Sequence, residues 1–232
     1  MSGHSKWAQI KRKKGATDVK RGVLFGKLAK QITVAARLDR NLEIAINTAR
    51  AANMPRENIE RAIQRGVGNV AGENQIGEAL YEAYAPGGTA LLITVLTDNC
   101  RRTLGALRAI FNKYGVNLAQ AGGVRHLFDY RGIVEVARGE DPDATQLALI
   151  EAGVDDVLIE DERVIGYTTP QNLESVTQML KLQTIVPLET RFAFVPKMTI
   201  EIDEPTRDKL LTLLEQIDDL EDIDSVETNA TL

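Results

Sequence analysis

Cationic side chains dominate the chemistry this sequence can offer. Lys6, Lys11, Arg12, Lys13, Lys14, Lys20, Arg21 and Lys27 all fall in positions 3–27, "GHSKWAQIKRKKGATDVKRGVLFGK", against one acid, Asp18. Lysine and arginine neutralise phosphates and release condensed counterions, so several together make a salt-sensitive, mostly sequence-blind grip on a polyanion. Trp7 lies inside the cluster. It could stack on an unpaired base, or serve as an apolar anchor docking this arm onto the helices that follow. A second candidate is "TDNCRRT" at 97–103, on a strand-to-helix junction. Asp98 or Asn99 suits a helix N-cap, and Arg101 and Arg102 then oppose the helix dipole in the first turn. That small cost points to a contact with phosphate or a partner.

Enzyme chemistry is thin. His4 and His126 are the only histidines and Cys100 the only cysteine, too few soft ligands for a structural zinc site. "GVLFGK" (22–27) lacks the spacing of a phosphate-binding loop. "YRGIVEV" has an Arg-Gly start but places Ile133 and Val134 where an RNA-recognition sheet needs aromatics. The acidic "EQIDDLEDIDSVE" (215–227) carries Ile217, Leu220, Ile223 and Val226 through it, so it reads as a helix end and strand with solvated acidic faces. No catalysis, metal or cofactor is expected.

The charge is unevenly divided. The 232-residue chain has a formal net charge of -5, yet positions 1–75 carry +9 and the remainder -14. The first forty positions alone hold eleven bases and two acids. Such asymmetry describes a basic module on an acidic body. No apolar run long enough for a membrane span is present, and none follows the basic start, so neither a membrane partner nor a secretory signal is expected. A lone cysteine suits a reducing compartment, and a cytoplasmic location is expected.

These groups need a scaffold, and the periodicities supply one. Leu24, Leu28, Ile32 and Ala35 recur at helical spacing after Asp18; Leu42, Ala45, Ile46, Ala49 and Ala52 form a second helical face. A third helix starts at Pro55, carries Ile59, Ala62 and Ile63, and stops at Gly66. Arg56, Arg61 and Arg65 on it invite a groove-reading role, but Glu57 four residues before Arg61 favours a surface pair. "GVGNVAGENQIG" (66–77) reads as a linker.

Beyond it, "ALYEAYA" and "TALLITVLT" flank "PGG", predicting a hairpin. A helix over 100–114 and strands at 124–130 and 132–137 follow. From "GIVEVA" onward the pattern is β-α-β-β-α-β, ending at "TRFAFV". What surrounds it spells nearly the same, using "KMTIEID", a helix at 205–217 and "SVETNA", with the strand at 79–85 to spare. The expected fold is therefore α+β: an N-terminal three-helix bundle plus two ferredoxin-like α/β domains, one inserted into the other. The expected boundaries are 1–75, 76–130 with 197–232, and 131–196.

"GHSKW", "KRGVLFGKLAKQITVAARL", "AANMPRENIERAIQRGVG", "YEAYAPGGTALLI" and "TDNCRRT" together closely resemble the YebC/PmpR family. The resemblance runs from residue 3 to the C-terminus and is densest through 130. It implies a helical bundle followed by two α/β domains, and a DNA-binding transcriptional regulator or a ribosome-associated translation factor that binds ribosomal RNA and helps synthesis through proline-rich stretches. Carried over by motif, the nucleic-acid-facing candidates are Lys6, Trp7, Lys11 to Lys14, Lys20 and Arg21, with Arg101 and Arg102. The chain departs from the family's pattern in three places: only "DRN" separates the first two helices, Gly123 stands where serine is usual, and Cys100 where a basic or polar residue is frequent. A protein-interaction adaptor is the rival of a different class. Nothing in the sequence sets the oligomeric state.

Overall fold

Helix α1 (Asp18–Leu38) places Leu28 and Ile32 one turn apart, and both are buried, as a helix with one apolar stripe requires. Leu24, expected on that stripe, is exposed. The computed structural model describes residues 18–68 and 75–232, the side chains of 18–20 apart. Helices α2 (Leu42–Ala51) and α3 (Arg56–Val67) complete the N-terminal helical region.

The chain divides into two compact units. The first takes the chain through Leu42, Pro55–Asp129 and Val195–Leu232; the second takes Glu43–Met54 and Tyr130–Phe194. In the first, α3 packs on α1, and the Thr33 hydroxyl donates to the Ala62 carbonyl at 3.2 Å. The crossing is tight at Gly66, where an added Cβ would run into the Thr33 carbonyl oxygen and the Ala36 methyl. Arg56 pairs with Glu60 at 2.7 Å on the outer face of α3, one position away from the Glu57–Arg61 pair read from the sequence.

The same unit holds an antiparallel sheet whose strands run, in spatial order, Asn117–Leu118 (β3), Gly77–Ala85 (β1), Thr89–Thr97 (β2) and Ile223–Thr228 (β8). Strands β1 (Gly77–Ala85) and β2 (Thr89–Thr97) pair from Ala85↔Thr89 to Gly77↔Thr97 around the Pro86–Gly88 turn, so the predicted hairpin forms. All nine residues of β2 are buried. Leu91, Ile93 and Val95 pack against Leu107 and Phe111 of α4 (Cys100–Tyr114) and Leu210, Leu213, Leu214 and Ile217 of α7 (Glu204–Asp218). Helix α1 also packs on β2 and on β8 (Ile223–Thr228). With helices on both faces, "TALLITVLT" is nearly continuous in apolar character rather than alternating.

In the second unit the sheet order is β5-β6-β4-β7, from β4 (Phe128–Ala137), β5 (Asp156–Ile159), β6 (Arg163–Thr168) and β7 (Glu189–Pro196). This is the order a β-α-β-β-α-β unit of ferredoxin type requires. Helices α5 (Pro142–Glu151) and α6 (Leu173–Leu182) supply Leu149, Leu173, Val176 and Leu180 to the core around Val134, Val136 and Val164. Ile44 of α2 packs against that core, and the Thr48 hydroxyl donates to the Thr190 carbonyl at 3.2 Å. The fold is α+β, with seven α-helices and two four-stranded antiparallel sheets among the described residues.

Two of the expected strand assignments change. The strands expected at 124–130 and 132–137 are one strand, β4, preceded by a 3-10 turn at Arg125–Leu127; Gly132 does not interrupt it. The segment "KMTIEID" forms no strand, only an isolated parallel bridge between Ile200 and Ala230. Its place in the first sheet goes to β1 and the two-residue β3 (Asn117–Leu118).

The helix crossing yields a paired prediction. Gly66→Ala should destabilise by about 1–3 kcal/mol, because the new methyl meets fixed backbone. Gly105→Ala in α4, where an added Cβ meets nothing within 4 Å, should instead stabilise by up to about 1 kcal/mol from helix propensity. Thermal melting of both variants reads the opposite signs.

Candidate nucleic-acid interface

The cationic residues read from the sequence have different fates. Lys6, Trp7, Lys11, Arg12, Lys13 and Lys14 lie outside the described residues, as does the side chain of Lys20. Arg21 is exposed on α1. Lys27 is not: it is 8% exposed, and its ammonium donates to the Asp218 carboxylate at 3.0 Å and to the Asp218 carbonyl. Counting Lys27 among surface cations is thus corrected. A four-carbon stem on the buried side of α1 carries the charge inward to a carboxylate 191 positions away, and no local pattern announces such a pairing.

One turn further along, Lys30 donates to Asp222 Oδ1 at 2.8 Å and to the Glu221 carbonyl at 3.1 Å. Gln31 Nε2 donates to Asp224 Oδ1 at 2.6 Å. Spacing of three to four residues puts Lys27, Lys30 and Gln31 on adjoining strips of one helix face. The acidic run that reads as solvated from the sequence is here a row of acceptors for α1. A bulge between β2 and β8, at Thr94/Val95, lies beside Asp224, the kind of irregularity that re-aims a side chain.

Asp222 is where three elements meet. Besides Lys30 it accepts from Arg102 Nη2 at 2.9 and 3.2 Å and from the Thr103 hydroxyl at 2.7 Å. Burial pushes its carboxyl up, but the hydrogen bonds from Lys30, Arg102 and Thr103, with the nearby Lys30 charge, more than reverse this and hold it well below the usual carboxylate range,. Arg102 also donates to Asp98 at 2.9 Å. The Asn99 side chain caps α4 by accepting from the Arg102 N–H at 3.0 Å, so of the two cap candidates the structure uses Asn99. Arg101, its neighbour, is exposed and makes no ion pair among the described residues. The two arginines that sequence reading treats alike are thereby separated.

Two further cations lie on α4, Arg108 and Lys113, both exposed. Lys113 Nζ sits 5.1 Å from the centre of the Tyr114 ring. Arg108 lies near Tyr81, whose hydroxyl donates to the Cys100 carbonyl at 3.2 Å. Burial first, and then the neighbouring Cys100, push the Tyr81 phenol up, while Arg108 opposes them.

On the β1 edge, Glu82 receives the N–H groups of Gly122, Val124 and Arg125, each at 2.7 Å. Burial raises its carboxyl, and these three bonds prevail and lower it. The Tyr84 hydroxyl adds a bond to the Gly123 carbonyl at 2.8 Å. This cradle explains why "AGGVRHL" is a turn and not the start of a strand. His126, exposed, has Nδ1 3.2 Å from the Gly122 carbonyl oxygen.

Known proteins are similar to this chain over most of its length. Residues 5–69 match the model of the TACO1/YebC protein N-terminal domain, and residues 76–230 that of the TACO1/YebC second and third domain. The chain belongs to the TACO1/YebC family. Relatives named "probable transcriptional regulatory protein" include one from Moorella thermoacetica, 42% identical with 100% of this chain and 96% of the relative covered. Another, from Herpetosiphon aurantiacus, is 40% identical, with 99% and 94% covered. A crystal structure of a conserved hypothetical protein from Aquifex aeolicus superposes with a TM-score of 0.86 at 39% identity, over 92% of this chain and 91% of that one. No helix among the described residues is long and apolar enough to cross a membrane.

The Asp222 cluster generates a pH prediction. A carboxyl whose folded pKa lies below its unfolded value of about 3.9 contributes stability that is fully present above about pH 4. That contribution is lost as pH falls through the folded value. Asp222→Asn should therefore cost about 2–3 kcal/mol at neutral pH and flatten the acid limb of a stability-against-pH curve measured by urea unfolding. An unchanged acid limb would show that Asp222 carries no such linkage.

Proposed function

We propose that this TACO1/YebC protein is a DNA-binding regulator of transcription that acts by binding alone, holding the phosphate backbone with the basic N-terminal segment. The observation that carries the reading is the split of charge, +9 over positions 1–75 against -14 beyond. A polyanion attracted to one end and repelled by the rest docks in one orientation. The names of the Moorella and Herpetosiphon relatives support a regulatory role. Lys27 and Lys30 are bound to Asp218 and Asp222, and the residues assigned to the grip are Lys6, Lys11, Arg12, Lys13, Lys14, Lys20 and Arg21, with Trp7 beside them. The acidic units are the scaffold.

Replacing Lys11, Arg12, Lys13 and Lys14 together by glutamine should weaken duplex binding. The plot of log affinity against log salt should become shallower by about 0.9 log unit per lost phosphate contact, with thermal melting unchanged. An unaltered slope removes this run from the grip. Sedimentation of the full chain with ribosomes, run beside duplex titrations at physiological salt, decides the physiological polyanion. Co-migration with ribosomes and only weak, sequence-blind duplex affinity would overturn the transcriptional reading in favour of ribosomal RNA.

A further inference from the structure

Helix α4 is divided in charge as well as in apolarity. Thr103, Leu107 and Phe111 face the core. Arg101, Gly105, Arg108 and Asn112 recur at helical spacing on the opposite side, and all are exposed,. The helix, "CRRTLGALRAIFNKY", contains Arg101, Arg102, Arg108 and Lys113 and no acid, although the chain beyond position 75 holds twenty-seven acids and thirteen bases. Arg102 is engaged by Asp98 and Asp222, and Lys113 leans over Tyr114. Arg101 and Arg108 make no ion pair among the described residues.

In so acidic a body, two guanidiniums left unpaired on one line of one helix form a charged surface with an open approach. They stand seven residues apart, about 10 Å along the axis, which is the rise of about three base steps of a duplex. Between them, an added Cβ at Gly105 would meet nothing within 4 Å, so a chain of phosphates can come close to the helix. Guanidinium accepts a phosphate in a two-pronged geometry. The line Arg101, Gly105, Arg108 and Asn112 carries no apolar side chain, whereas a protein partner's interface is built on an apolar centre. We propose that the Arg101–Gly105–Arg108 face of α4 is a second phosphodiester-binding surface, holding a nucleic-acid backbone without reading bases. It rests on the nucleic-acid reading above and adds a contact far in sequence from the basic N-terminal segment.

The test is fluorescence anisotropy with the full chain across a salt series, using a labelled duplex DNA and a labelled single-stranded RNA, each of arbitrary sequence. The double variant Arg101→Gln/Arg108→Gln should lose about 1.8 log units of salt slope on the duplex, or about 1.4 on the single strand. Gly105→Glu, which places a carboxylate between the two arginines, should weaken binding in the same sense. Loss on the duplex alone identifies DNA as the source of the phosphates, and loss on the single strand alone identifies RNA. Unchanged slopes in the double variant, with the Lys11–Lys14 variant still defective, overturn this surface and leave the proposed function standing. The reverse pattern removes the N-terminal grip and keeps α4. A parallel titration uses a labelled polyglutamate peptide: if the double variant loses affinity for that peptide and for neither nucleic acid, the face docks acidic protein and the proposal is overturned.

Discussion

A single carboxylate, that of Asp222, is the constraint from which the first unit's geometry follows. It is 9% exposed, and removing an ionised carboxylate from water costs several kcal/mol unless charge and hydrogen bonds compensate. Compensation comes from α1 through Lys30, and from the first turn of α4 through Arg102 and Thr103. The main chain at the same residue is committed as well, since the Leu96 N–H donates to the Asp222 carbonyl at 2.9 Å. Elements that are distant in sequence must all be in place before the charge is satisfied. Apolar packing between α1, β2 and β8 would tolerate some sliding, but this carboxylate tolerates little, because each donor has a direction.

The same contact redistributes the protein's charge. Read as a string, the N-terminal segment is a reservoir of cations and the C-terminal one a reservoir of anions. In the folded unit the inner part of the first reservoir is consumed by the second, with Lys27 on Asp218 and Lys30 on Asp222. These cations are buried or nearly so, so salt screens them far less than it screens exposed charges. The helix that begins in the basic segment is therefore anchored at its middle by ion pairs that persist at ionic strengths where a grip on phosphate fades. Anchoring within the fold and the proposed grip on phosphate use the same residue types with different sensitivity to salt.

How much of this was legible in the sequence depended on the range of the interaction. The β1–β2 hairpin is local, marked by apolar runs on either side of "PGG", and it forms, pairing from Ala85↔Thr89 to Gly77↔Thr97. The β-α-β-β-α-β order of the second unit could be read because each element has its own period and its own caps, such as Asp141 accepting from Asp143 and Ala144 at the start of α5. The turn at 122–127 could not be read, because what makes it a turn is Glu82, forty positions earlier on a neighbouring strand. The same holds for "KMTIEID", whose alternation promises a strand that the neighbouring sheet leaves no room to pair. Among the candidate cations, type and density were visible but orientation was not. Lys27 and Arg102 looked like their neighbours until the partners on the far end of the chain were in place.

That difference bears on how an acidic protein presents a basic face. Coulomb attraction within the fold competes for every lysine and arginine, and in a chain with more acids than bases most cations near a carboxylate will be captured. Those left over are defined by geometry, not by composition. On α4 the first-turn arginine that points towards β8 is taken by Asp222, and the one a helical step away, pointing outward, is not. The fold thus sorts its cations by helical phase. Residues whose phase aims them at the sheet become structural ties, and residues a hundred degrees around the same helix keep their charge for solvent or a ligand. A binding surface on such a body is made by subtraction, and its position follows from which carboxylates the core has already brought within reach.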